Sequence, residues 1–98
     1  MSIDLGKALF IPLKIKFFEA FKSGSKTREF RKISKQFNLK TCVVGRKVIL
    51  SKGYGKSERL TGIITKVEIC DNPNELDGWV ECYGTNEKQA IIITIEVE

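Results

Sequence analysis

The sequence contains no histidine. That absence removes Ser-His-Asp triads, Cys/His dyads, HExxH zinc sites and every imidazole general base, so any catalysis here has to run on Lys, Glu, Asp, Thr, Ser, Tyr or Cys. Cysteine is scarce: Cys42, Cys70 and Cys82 are odd in number and share no CxxC spacing. Neither a disulfide framework nor a zinc ribbon is suggested, and no metal or cofactor is expected. The two prolines leave no Pro-rich linker, and repeats and low-complexity tracts are lacking, which predicts one continuous fold. No segment approaches the roughly 20 apolar residues needed to cross a bilayer. The apolar run Ala8 to Ile11 is too short for the h-region of a signal peptide. The expectation is a soluble, cytoplasmic chain without membrane contact. With 98 residues there is room for one hydrophobic core, hence a single domain over 1–98.

Charge is what the chain has in plenty, and it is unevenly placed. Residues 1 to 66 carry sixteen Lys or Arg against Asp4, Glu19, Glu29 and Glu58, a balance of +12, whereas residues 67 to 98 carry Lys88 against eight acids, a balance of −7. Such polarity can hold a positive potential over one face, as binding to a phosphate backbone requires. The plainer alternative is that the lysines solvate the surface and the acidic stretch neutralises them in space.

Local patterns place the elements. Ala8 to Ile11 reads as a short strand, with Pro12 at its end or in the first turn of a helix. From Leu13 to Ser23, Leu13, Phe17, Ala20 and Phe21 recur at helical spacing opposite Lys16, Glu19 and Lys22, and Gly24 supplies the left-handed stop. Phe17 and Phe21 are expected in the core. Strands are predicted over Lys26 to Ile33, Arg46 to Ser51, Leu60 to Ile69, Trp79 to Tyr83 and Ala90 to Val97, with a bulge near Gly62. A loop covers Asp71 to Gly78. Five or six short strands with one early α-helix imply an α+β, mainly β fold: a small closed or nearly closed barrel.

Two segments concentrate polar chemistry. In Gly24 to Arg31, GSKTREFR, a period of two sends Thr27, Glu29 and Arg31 to one face and Arg28 and Phe30 to the other, with Lys26 at the mouth of the strand. A carboxylate between an ammonium and a guanidinium makes a polar site, or equally a structural ion pair. In Ser51 to Lys56, SKGYGK, two glycines let backbone N–H groups approach a phosphate, Lys52, Lys56 and the nearby Arg59 add charge, and Tyr54 offers a ring for a base. The alternative is a hairpin loop whose glycines only satisfy positive φ. Trp79 and Tyr83 share a strand face with Glu81 between them, a pair that could line a base pocket, although Trp79 at least is expected in the core.

The ordered set FIPLKIKFFEAFKSGSKTREFRKIS (Phe10 to Ser34), VGRKVILSKGYGKSERLTGIITKVE (Val44 to Glu68) and WVECYGT (Trp79 to Thr85) resembles the ASCH domain family, in particular short stand-alone members from bacteria and their phages. The resemblance spans nearly the whole chain. It implies a PUA-like β-barrel with a cleft beside the GxKxxEFR segment that binds RNA or a modified nucleoside or nucleotide. The family's cleft residues fall on Lys26, Glu29 and Arg31, flanked by Thr27 and Arg28. Some members are amidohydrolases acting on N4-acetylcytidine, and this chain is similar to them at Gly24, Lys26 and Thr27. It departs where their threonine nucleophile stands, since that position is Glu29 here, and Glu68, Glu75 and Glu81 offer no clear counterpart to their catalytic glutamate. Other members are ribonucleases, for which a lysine and an arginine facing a phosphorane suffice.

The expected function is therefore binding of RNA or a nucleotide: Lys26, Arg28, Arg31, Lys52, Lys56 and Arg59 toward phosphate, Glu29 accepting from a base or sugar, and Tyr54 stacking. A hydrolase on the same cleft, working through Lys26, Glu29 and Thr27, is the first alternative. A module that docks an acidic protein partner is the second. The sequence leaves enzyme status, ligand, oligomeric state and pathway open.

Overall fold

The structure is a computed structural model that describes residues 7–55 and 58–98. Its elements run β1 (Leu9–Leu13), α1 (Ile15–Ser23), β2 (Arg28–Lys32), β3 (Lys47–Lys52), β4 (Arg59–Cys70), a 3-10 turn (Pro73–Glu75), α2 (Trp79–Tyr83) and β5 (Ala90–Val97). The five strands form one curled half-barrel sheet in the order β1-β3-β4-β5-β2. The β1–β3 pair is parallel and the other three are antiparallel. The fold is thus mainly β with one principal helix, as the pattern of short strands predicts. No helix among the described residues is long and apolar enough to cross a membrane.

The core is built from the inward side chains of this sheet with one face of α1. Ile11, Val48, Leu50, Ile64, Ile91 and Ile93 are fully buried together with Phe18 of the helix. β5 lies between β4 and β2 and buries Ile91, Ile92 and Ile93 in succession, so its strict alternation in sequence is overridden where both faces are covered. The helix is turned slightly from its expected face. Phe18 and Phe21 point into the core, while Phe17 is only partly buried at its margin. Gly24 ends α1 at φ 85° with its N–H on the Phe21 carbonyl, 3.2 Å away. The Lys26 N–H then returns to the Ala20 carbonyl at 3.1 Å, which holds the start of the GxKxxEFR segment against the helix end.

Two features of the sheet differ from the sequence-based expectation. The register shift in β4 falls between Ile64 and Lys66, a few residues beyond Gly62. Gly62 serves close approach instead: a Cβ there would meet the Glu96 carbonyl oxygen at 2.7 Å. Trp79 to Tyr83 is a helix, not a strand. Its β-favouring residues are overridden because Gly78 and Gly84, both at positive φ, bracket a single turn in which Trp79 and Tyr83 stack at i and i+4, centroids 4.4 Å apart. Trp79 is buried as expected.

The sheet stops short of closure between its edge strands β1 and β2, and side chains bridge the gap. Arg31 Nη2 donates to the Pro12 carbonyl, and Gln36 Nε2 donates to the Phe10 carbonyl at 3.4 Å. Pro12 sits within β1 without cost because an edge strand need not supply every N–H.

Candidate functional site

Three adjoining cavities lie where α1, β2 and α2 meet, and Phe17 and Phe30 wall all of them. The outer one, about 570 Å³, is polar, with Lys16, Thr27, Arg28, Asp77 and Glu81 around its rim. The second, about 370 Å³, is more apolar and is enclosed by Leu13, Tyr54, Cys82 and Tyr83 above Glu29 and Arg31. A pocket of about 20 Å³, room for one small group, connects the two sets of walls and is lined by Lys26, Glu29 and Trp79.

β2 sets the floor. Its alternation puts Glu29 and Arg31 on one face, where Arg31 Nε donates to Glu29 Oε2 at 2.7 Å, and only 7% of the Glu29 side chain is exposed. Burial pushes the Glu29 carboxyl above the usual carboxylate range, opposed by Arg31, by Lys26 and by the Phe30 backbone N–H. The Arg31 guanidinium also lies over the Phe37 ring at 4.9 Å. One side chain therefore ties the carboxylate, the seam of the sheet and the core together.

Lys26 stands at the junction. Its ammonium lies 4.8 Å from the Phe30 ring centroid, 5.1 Å from Phe17 and 5.7 Å from Phe21. Enclosure among these rings strips water from the amine and lowers its pKa, an effect that Arg28 reinforces and Glu29, Asp77 and Cys82 oppose. The Arg28 guanidinium also lies over the Phe30 ring, at 5.3 Å. Burial raises the Tyr83 phenol, against the pull of Arg31.

The expected site residues thus divide. Lys26, Thr27, Arg28, Glu29, Arg31 and Tyr54 meet in this groove, with Thr27 on the outer cavity and Glu29 on the inner two. Tyr54 is 85% exposed at the rim. Lys52 turns instead to Glu19 at 3.1 Å and Glu58 at 3.8 Å, and Arg59 lies over Phe10 at 5.2 Å. Neither lines the groove. Lys56 lies outside the described residues. The sequence reading set Trp79 and Tyr83 together as a pair able to line a base pocket, and both line these cavities, but it missed Phe17 and Phe30 as walls and Asp77 and Cys82 as lining. Their signal was weak, because an aromatic at helical or strand spacing reads as core. Among the described residues no group of three His, Cys, Asp or Glu could hold a metal ion.

Fold and site together define a small, mainly β domain with an open cleft of aromatic walls and a charged floor. No family model matches this chain, and no curated protein matches it significantly.

Proposed function

We propose that this chain is an ASCH-like module that binds RNA or a nucleotide along the groove between α1, β2 and α2. The observation that carries the reading is the division of the groove. An apolar, aromatic cavity with a buried acceptor at its floor suits a base, and it adjoins a polar cavity lined by Arg28, Thr27 and Asp77 that suits a sugar and its phosphate. Tyr54 at the rim offers a face for a neighbouring base. A partner held by charge alone would have no use for the aromatic cavity, so the groove favours a nucleotide over an acidic protein.

Lys14, Lys26 and Arg28 line the groove and form no salt bridge among the described residues. About three phosphate contacts at roughly −0.7 each predict a log–log salt slope of about −2 for single-stranded RNA. Fluorescence anisotropy across a salt series measures it. A slope near zero, or no binding of RNA or mononucleotides at low salt, overturns the reading.

A further inference from the structure

We infer that the inner pocket reads the keto edge of a nucleobase, the carbonyl with an adjoining ring N–H that guanine and uracil share and that adenine and cytosine lack. The inference rests on the reading of the groove as a nucleotide site and names the base that the site selects.

The starting observation is an unpaired donor. Trp79 is 1% exposed, and its indole Nε1 has no hydrogen-bond partner among the described residues. A buried N–H without an acceptor is costly and rare, so the missing partner needs an explanation. Of the three cavities, only the inner one reaches Trp79. At about 20 Å³ it admits one oxygen-sized group, which is what the indole lacks.

The other polar walls of the pocket extend the pattern. Lys26 is half-buried, and its ammonium lies over the Phe17, Phe21 and Phe30 rings, contacts that favour the charged form. It forms no salt bridge among the described residues, so its N–H groups are available to a ligand. Glu29 supplies the acceptor. Arg31 Nε donates to its Oε2 at 2.7 Å, an ion pair that leaves the carboxylate with lone pairs to spare. Two donors, Lys26 and Trp79, thus share one small pocket with one acceptor.

That set of groups selects a base edge. A carbonyl oxygen has two lone pairs, enough for both Lys26 and Trp79, and the ring N–H beside it donates to Glu29. Guanine presents O6 beside its N1–H, and uracil presents O4 beside its N3–H. Adenine has no carbonyl, and the cytosine carbonyl has no N–H beside it. The ring nitrogen that either would offer carries a single lone pair, so one donor would stay unpaired in a pocket closed to water. The pocket is reached from the apolar cavity, because Phe17, Glu29, Phe30, Cys82 and Tyr83 line both. A base held between those walls presents its edge to Trp79 and Lys26.

Trp79 is the single tryptophan of the chain, so its indole N–H gives one resonance in a proton–nitrogen correlation spectrum. The test titrates GMP, UMP, AMP and CMP into the wild-type protein, together with GMP and UMP methylated at the ring N–H. GMP, UMP or both are expected to bind at least about tenfold more tightly than AMP and CMP, and to move the indole resonance downfield with slowed hydrogen exchange. Methylation should cancel that advantage, because it removes the proton offered to Glu29. The tighter of GMP and UMP assigns the edge to a purine or a pyrimidine. Trp79→Phe, where folded, should reduce the preference for keto bases at least about tenfold; the wild-type titration stands without it. RNA binding with no keto preference, or an indole resonance unmoved by every nucleotide, overturns the inference, leaves an ordered water as the occupant of the pocket and keeps the groove as a binding site. No binding of RNA or of any nucleotide overturns the inference and the reading of the groove together.

Discussion

Two clusters of opposite charge flank the same helix and behave differently. At the floor of the groove, Glu29 and Arg31 form a pair whose side chains are only 7% and 17% exposed. Beside α1 and β3, Lys22 meets Glu58, and Lys52 bridges Glu58 and Glu19, with exposures from 29% to 51%. The pairing chemistry is alike, but water screens the second cluster and is excluded from the first. A solvated network contributes little and ties its lysines down, whereas a desolvated pair is costly to form and costlier to break. The contrast separates the lysines that a ligand can use from those already engaged.

The largest expected effect comes from breaking the inner pair on one side. Arg31→Met leaves the Glu29 carboxylate buried without its donor and frees the Pro12 carbonyl, and a loss of about 3–5 kcal/mol is expected in thermal or urea melts. Adding Glu29→Leu should restore part of that loss, since an apolar pair of similar volume carries no stranded charge. Glu58→Gln, by contrast, should lower the melting temperature only slightly at neutral pH, because water screens that cluster. A double variant no more stable than Arg31→Met would show that the seam bond to Pro12, rather than the charge, carries the penalty.

The same contrast sets opposite pH slopes. Burial holds the Glu29 carboxyl above the ordinary glutamate value near 4.3, so the folded chain keeps a proton that the unfolded chain releases. The stability from this group is full below that value and declines as pH rises through the raised one. The hydrogen bond from Lys22 holds the Glu58 carboxyl below the ordinary range, so its contribution is present above that range and is lost as pH falls through the lowered value. Melts across pH should show Glu29→Gln flattening the decline above the ordinary range and Glu58→Gln flattening the loss at acid pH. If neither variant changes the profile, the two environments are not as different as their burial implies.

Much of the fold was legible in the residues. The helix ending at Gly24, a strand inside the expected Lys26 to Ile33 and the bounds of β5 follow from spacing and a positive-φ stop. The floor of the groove was legible too, because Lys26, Glu29 and Arg31 lie within six consecutive residues and alternation alone sorts their faces. What escaped depends on contacts distant in sequence. Trp79 to Tyr83 has strand-favouring residues, and only its bracketing glycines and the stacking of Trp79 on Tyr83 make it a helix. Phe17 was expected in the core and instead walls the cavities, while its neighbour Phe18 is buried. Lys52 was grouped with the groove by its place in SKGYGK. Nothing local reveals that Glu19, 33 positions earlier, claims it.

The rim tests whether exposure alone can mark a binding residue. Tyr54 is 85% exposed and lines the aromatic cavity. Tyr54→Ala should weaken single-stranded RNA binding by about 1–3 kcal/mol, the worth of one base stack, with the melting temperature unchanged. Tyr54→Phe should bind like wild type, because stacking needs the ring and not the hydroxyl. Equal affinity in wild type and Tyr54→Ala would reduce the loop to a turn.

The smallest effect is also the most discriminating for the two clusters. Arg28 lines the outer cavity and forms no salt bridge among the described residues, whereas Lys52 is held by Glu19 and Glu58 outside the groove. If phosphate is read in the groove, Arg28→Ala removes one contact, and the log–log salt slope should shrink by about 0.7 while affinity falls at low salt. Lys52→Ala should leave both slope and affinity unchanged, because that ammonium is already neutralised. The two variants change net charge equally, so any long-range effect of overall charge acts on both and cancels in the comparison. A salt titration of wild type, Arg28→Ala and Lys52→Ala on one RNA separates local contact from general attraction. Equal shallowing in both variants would mean that binding follows net charge and that the groove has no privileged role. Shallowing in Lys52→Ala alone would move the phosphate path to the SKGYGK loop and require Lys52 to leave its carboxylates when RNA arrives.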